Sequence, residues 1–323
     1  MESLEMVELK KKINNIINFI IDKNDVVFID YPAYHNVGDL LIFQGTLQFF
    51  KENSINVKAY RSAQNYHIDD LLKFITPHTT IICQGGGNFG DIYHAHQHVR
   101  ELVVSQFPDN RIIVLPQTAH YSNEHRLNES QALFEKHPDL YLFARDEKTF
   151  DLFKKFTKNA FLSPDMAHAL YRQVKKSSQT NGRTLYFLRI DCEVNESQNS
   201  LKIPDGVLTE DWEDFVTLRD RMFRKLISYM FKLSIRFKSG FLKDITAYFW
   251  RKHCSSLVSR SFLYFSSFDK IITSRMHGHI LACLVDVPNI VIDNSYGKNS
   301  GYYKQWTSRV ASASLFDDKK ARE

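Results

Sequence analysis

Ile271-Ile272-Thr273-Ser274-Arg275-Met276-His277-Gly278-His279 passes from an apolar run, through an Arg and a His, into a helix-like pattern. A strand that ends where a helix begins brings backbone N–H groups and the positive end of a helix dipole to one spot. With a guanidinium and an imidazole added, that spot suits a small dianion. The arrangement recurs. Lys298 lies just beyond the next apolar run, Asn289-Ile290-Val291-Ile292, and Arg145 follows Leu140-Tyr141-Leu142-Phe143. Three cationic strand ends point to a substrate carrying both phosphate and carboxylate.

The same rhythm extends through the rest of the chain. Leu9, Ile13, Ile16, Ile17 and Ile20 have helical spacing, and Val26-Val27-Phe28-Ile29 reads as a buried strand. A helix is expected from about Leu40 to Lys51, a strand from Val57 to Tyr60 and a helix from Asp69 to Phe74. Strand Thr80–Cys83, helix 92–106 and strand 111–115 follow, then strand Tyr141–Phe143, helix Glu147–Phe156 and strand Ala160–Leu162. Continuous apolar strands alternating with helices predict an α/β fold whose parallel sheet is covered on both faces. Function then belongs at the carboxyl ends of the strands.

The polar stretch from Lys175 to Arg183 reads as a linker. It divides the chain into a Rossmann-like half, 1–174, and a second Rossmann-like half, 183–310. The second half contains a long helical region, 210–265, and a short tail, 311–323, reads as flexible. Two α/β halves facing one another resemble the GT-B form of glycosyltransferases. At 323 residues the chain is long enough for two cores of ordinary size.

Composition excludes several classes. With 43% hydrophobic and 24% charged residues the chain is an ordinary globular protein, and a net charge of +5 does not by itself call for a polyanionic partner. The 4 cysteines are scattered, with no CxxC pair, which argues against a disulfide framework or a zinc site. His94, His96 and His98 sit at i, i+2 and i+4, so only His94 and His98 share a helical face, and no metal is expected. The acidic start lacks the layout of a signal peptide, and no apolar run reaches the length of a spanning helix. A cytoplasmic protein is the expectation.

Gly85, Gly87 and Gly90 keep the GxGxxG spacing of a dinucleotide-binding turn. The motif follows the third strand rather than the first, however, and Asp109 precedes the next strand where a ribose-binding acid would end it. What remains is close backbone approach to a ligand, with Asn88 and Asp91 placed to bind hydroxyls; a tight turn alone is the alternative. Tyr31-Pro32-Ala33-Tyr34-His35-Asn36-Val37-Gly38-Asp39 also follows a strand and opens a helix. His35, Asn36 and Asp39 are candidates for a ligand there, although Asp39 could simply cap the helix. Arg145 opposes the dipole of the helix it precedes unless an anion or a structural Asp stands beside it. Asp165 and Asp191, each near a strand end, could serve as a base, a hydroxyl ligand or a backbone hydrogen-bond acceptor.

From Arg221 to Arg260, basic side chains alternate with Phe, Tyr and Trp, and Asp244 is the only acid within the run. This composition suits either an anionic membrane surface or a helical hairpin whose aromatics fill a core. No nucleic-acid-binding motif accompanies it.

Four motifs occur in order: Asp30-Tyr31-Pro32-x-Tyr34-His35-Asn36-Val37-Gly38-Asp39, Gly85-Gly86-Gly87-Asn88-Phe89-Gly90-Asp91, Ala144-Arg145-Asp146-Glu147-Lys148-Thr149 and Ser274-Arg275-Met276-His277-Gly278. The set resembles the polysaccharide pyruvyl transferase family, in particular its bacterial exopolysaccharide ketal-pyruvate transferases. The resemblance implies a GT-B-like pair of Rossmann-type domains and phosphoenolpyruvate as donor, a co-substrate with no further cofactor. The product would be a pyruvate ketal across two hydroxyls of a sugar, with a lipid-linked oligosaccharide and a polymer as the two candidate acceptors. Carried onto this sequence, it assigns donor binding to Arg145, Arg275, His277 and Lys298, with catalysis by His277 and Arg275. His35, Asn36, Asp39, Gly87, Asn88 and Asp91 then fall to the acceptor side. The basic run from Arg221 to Arg260 matches no motif of the family, so contact of this cytoplasmic protein with the inner face of the plasma membrane rests on composition alone. A nucleotide-sugar glycosyltransferase is the rival enzyme reading, and a membrane-attached scaffold in polysaccharide assembly the non-catalytic one.

Overall fold

The computed structural model describes residues 3–317 other than 174, 175, 178, 181, 191–193, 196, 197, 199, 202, 205, 208 and 296. Two parallel sheets organise them. The first holds β1 (Val26–Ile29), β2 (Val57–Arg61), β3 (Thr80–Cys83), β4 (Gly86–Gly90), β5 (Arg111–His120), β6 (Leu140–Ala144) and β7 (Ala160–Leu162). Its order is β2-β1-β3-β5-β6-β7, with β4 paired to the far end of β5. The second holds β8 (Thr184–Phe187), β9 (Thr209–Glu210), β10 (Lys270–Thr273), β11 (Asn289–Val291) and β12 (Ala313–Leu315), in the order β12-β11-β10-β8-β9.

Strand periodicity sorts the core. Phe28, Ile82, Ile113 and Leu115 point one way, while Val27, Ile29, Ile81, Cys83, Ile112 and Val114 point the other. The first set joins Leu185, Phe187 and Ile271 of the second sheet, Trp250 and Ile280 in a single apolar cluster. The two halves therefore share one core. The second set packs under the helices His94–Gln106 and Glu124–Phe134.

Four details depart from expectation. Gly86–Gly90 is a strand, not the turn before a helix, because glycine permits its unusually close approach to β5. A Cβ on Gly90, at φ +116°, would overlap the His120 carbonyl. The helix Glu124–Phe134, capped by Asn123, was not evident in the sequence, since its polar face leaves only Ser130 and Phe134 buried. The helical region expected from about Glu210 opens instead on the strand Thr209–Glu210, and then runs, as the hairpin that the sequence allowed, through a short turn, Trp212–Phe215, and two long helices, Leu218–Arg236 and Gly240–Phe265. They fold back on one another at Lys238, which takes a left-handed conformation at φ +47°. Lastly, Ala313–Leu315, expected as flexible tail, pairs with β11 at the sheet edge.

Candidate active site

The carboxyl ends of both sheets border a cavity of about 410 Å³. Arg145 reaches it from the end of β6, Arg275 and His277 from the end of β10, and Lys298 from just beyond β11. All four cations marked out in the sequence line this one space. Arg189, following β8 and almost fully buried, joins them. Asn36, at the start of the helix Val37–Glu52, and Met276, at the start of the helix Met276–Leu284, also face it. Both helix dipoles thus add to the positive potential.

Arg145 is 1% exposed. Its Nε donates to Thr118 Oγ1 at 2.8 Å and its Nη1 to Asp165 Oδ2 at 2.5 Å, whereas Nη2 makes no hydrogen bond. That nitrogen points at Gly87. A Cβ there would lie 2.9 Å from Arg145 Nη2 and 3.1 Å from Lys298 Nζ. Glycine at position 87 keeps open a niche where two cations converge. Arg145 therefore has the structural Asp partner considered from the sequence and still presents an uncommitted donor to the cavity.

Asp165 is completely buried and lies between two of these cations. Its Oδ2 is 3.3 Å from His277 Nε2 as well as bonded to Arg145, and its Oδ1 accepts from the Ala167 N–H at 2.9 Å. Burial alone would raise its pKa. The His277 hydrogen bond and charge, then the Arg145 charge, outweigh burial and hold the carboxyl well below its usual range. Tyr302 extends the network: its hydroxyl accepts from the Asp165 N–H at 3.1 Å and meets His168 Nε2 at 2.9 Å. Of the alternatives open for Asp165, its Oδ1 takes that of a backbone hydrogen-bond acceptor, while its Oδ2 is an ion-pair partner, a role that the sequence did not indicate for it. Asp191 lies outside the described residues.

Arg275 is held by a carboxylate that the sequence did not single out. Its Nε and Nη2 donate to the two oxygens of Asp211 at 2.8 and 2.5 Å, a bidentate pair. Asp211 also caps the turn Trp212–Phe215 through a reciprocal capping box with Asp214. The Asp-x-x-Asp spacing was readable as a cap, but only if a helix boundary was placed there. Trp212, next in sequence, forms part of the cavity wall.

Asn36, Asp39, Gly87 and Asn88 also line the cavity, together with Tyr34 and His96. Asn36 also caps its helix, accepting from the Gly38 N–H at 3.0 Å. Asn88 is partly committed, since its side-chain oxygen accepts from Arg100 and from Gln117. Arg100 in turn pairs with Asp30, whose other oxygen lies 2.6 Å from His96 Nδ1.

Two of the proposed acceptor residues lie elsewhere. Asp91 Oδ2 accepts from Ser122 N, Ser122 Oγ and Asn123 N at 2.7–2.9 Å, so it clamps the loop after β5 rather than facing the cavity. His35 turns toward the helical hairpin, with its Nε2 3.1 Å from His253 Nε2 and its ring against Trp250. Burial, with the neighbouring His253 charge, lowers its pKa to about 4. Both are polar residues at strand ends, and only three-dimensional packing decides which side of the loop they face. Among the described residues no group of three or more His, Cys, Asp or Glu is placed to hold a metal ion.

Comparison with known proteins agrees with the geometry. The chain is 34% identical to the putative pyruvyl transferase EpsO of Bacillus subtilis (strain 168), over 98% of this chain and 96% of that protein. It is 27% identical to pyruvyl transferase 1 of Schizosaccharomyces pombe, over 87% of this chain and 69% of that one. A crystal structure of an uncharacterized protein from Klebsiella pneumoniae subsp. pneumoniae NTUH-K2044 shares the fold with a TM-score of 0.57 at 19% identity, covering 96% of this chain and 98% of that chain. The family model described as polysaccharide pyruvyl transferase matches residues 36–296, and the chain belongs to that family.

Proposed function

We propose that the protein transfers the enolpyruvyl group of phosphoenolpyruvate to two hydroxyls of a sugar in a cell-surface or exopolysaccharide precursor. The products are a pyruvate ketal and inorganic phosphate. The observation that carries this reading is the meeting of Arg145, Arg275, His277 and Lys298 in one cavity. A donor bearing phosphate and carboxylate needs several fixed cations. The facing of the two parallel sheets across that cavity supports a GT-B-like arrangement.

In the proposed reaction His277 delivers a proton to the donor's methylene carbon, which becomes methyl, and positive charge develops at the central carbon. One sugar hydroxyl attacks that carbon and loses its proton. The carbon–oxygen bond to phosphate breaks with its electron pair, and the second hydroxyl closes the ketal as its proton passes to the departing phosphate, while the first hydroxyl's proton restores His277. Arg145 and Lys298, side by side at Gly87, hold the departing phosphate, while Arg275 fixes the carboxylate. Asp165 orients His277 through its 3.3 Å contact with Nε2. Asp39 and Asn88, which also line the cavity, receive the acceptor.

Thermal shift of the purified protein with phosphoenolpyruvate, against a panel of UDP- and GDP-sugars, tests the donor. Stabilisation by phosphoenolpyruvate, with phosphate release once a sugar acceptor is added, is the expected result. Stabilisation by a nucleotide sugar alone would overturn the reading.

A further inference from the structure

The hairpin of Leu218–Arg236 and Gly240–Phe265 carries a face the fold leaves unused. On its first helix Ile227, Phe231 and Ser234 turn inward and are buried. Leu218, Met222, Leu226 and Tyr229 recur at spacings of four, four and three, form one stripe on a different side, and are exposed. Phe237 and Phe241 extend the apolar surface around the bend. Leu218, Met222, Phe237 and Phe241 are 66–77% exposed, which sets them apart from the half-covered apolar residues usual at a protein surface.

The charged side chains that the first helix exposes have one sign. Arg221, Arg224, Lys225, Lys232, Arg236 and Lys238 are all exposed. The sole acid from 217 to 243 is Asp220, which is buried and bonded to Arg260 and Thr217 at 2.6 Å each. A second copy of the chain would bring this cationic surface against itself, so charge opposes self-association through it. Rings and aliphatic chains flanked by cations match an anionic bilayer. The apolar groups enter the boundary of the acyl region while ammonium and guanidinium groups meet the headgroup phosphates.

We propose that this face docks the protein on an anionic lipid bilayer. Among the described residues no helix is long and apolar enough to cross a membrane, so the contact is peripheral. Leu218 lies six residues beyond Trp212 of the cavity wall, within about 20 Å of chain. Docking thus brings the cavity close to the lipid surface. Presentation of a lipid-carried sugar there rests on the pyruvyl-transfer reading, whereas the docking itself does not.

Flotation of the full-length protein with phosphatidylcholine vesicles, with and without phosphatidylglycerol, tests the docking. The protein should rise with the anionic vesicles only. Two separate variants, R224Q/K225Q/K232Q/R236Q and M222S/L226S/Y229S, should each lower the partition constant by about tenfold or more. Every substituted side chain is exposed, so thermal melting should stay unchanged. The proposal is overturned if the unaltered protein stays down, if neutral vesicles bind it equally, or if either folded variant floats as before. It is also overturned if these substitutions instead dissolve a lipid-free dimer or abolish binding to nucleic acid.

Discussion

Asp165 Oδ2 stands 3.3 Å from His277 Nε2 while also accepting a hydrogen bond from Arg145, so a single buried carboxylate ties a helix-start imidazole in one half of the molecule to a strand-end guanidinium in the other. The geometry fixes the position of both cations relative to the cavity. It also gives the site a test at His277 and at Asp165.

His277→Ala removes the proposed proton donor but leaves Arg145, Arg275 and Lys298 in place. Turnover should fall by about 10²- to 10⁴-fold, the usual worth of a positioned acid or base. Affinity for phosphoenolpyruvate, measured by calorimetry, should change only a few-fold. Near-normal turnover would reject the assignment.

Asp165→Asn keeps the shape and deletes the charge. Without that charge His277 loses the partner that orients it, so turnover at saturating phosphoenolpyruvate should fall by about 10²-fold. Leaving Arg145 buried without its carboxylate should cost about 3–5 kcal/mol of stability. Urea unfolding of the variant measures the second effect, and an unchanged kcat would show that Asp165 does not act through His277.

Gly87→Ala would place a methyl 2.9 Å from Arg145 Nη2 and 3.1 Å from Lys298 Nζ. The cations must then shift, and the KM for phosphoenolpyruvate should rise by about tenfold, the scale of roughly 1.4 kcal/mol of lost contact. Melting temperature should hardly change. Gly38→Ala would instead press on His277 Nδ1, 2.6 Å from the added carbon, and should lower kcat more than it raises KM. Steady-state kinetics separates the two.

His168 and His279 are fully buried, and burial lowers both imidazoles from the ordinary 6.5 to about 4. They are neutral in the folded protein and take up protons on unfolding below pH 6.5. The stability they contribute is complete above pH 6.5 and is lost as pH falls toward 4. Unfolding free energy should therefore drop across that window. His279→Gln should reduce the slope by up to about 1.4 kcal/mol per pH unit, one proton's worth. Equal slopes in denaturant titrations at pH 4–7 would contradict this. Asp165 acts at still lower pH: its depressed pKa contributes stability that is present above about pH 4 and is lost on further acidification.

Much of this organisation was written in local sequence. Apolar runs such as Val26–Ile29 and Lys270–Thr273 determined parallel strands, because a strand buried on both faces leaves no room for polar alternation. Arg145, Arg275, His277 and Lys298, which line one cavity, stood out in the sequence because each is a basic side chain next to a strand's carboxyl end. Tertiary structure decided the rest. Asp211 and Asp165 emerged as partners only when residues 64 and 112 positions from them, Arg275 and His277, were brought within hydrogen-bond distance. His35 and Asp91 turned away from the cavity because Trp250 and Ser122 occupy the other sides of their loops. Gly86–Gly90 became a strand because β5 runs long enough to pair with it. Periodicity and charge are properties of neighbouring residues and can be read along the chain. The direction in which a loop side chain points, and the partner it meets, depend on packing between distant segments, which no local pattern encodes.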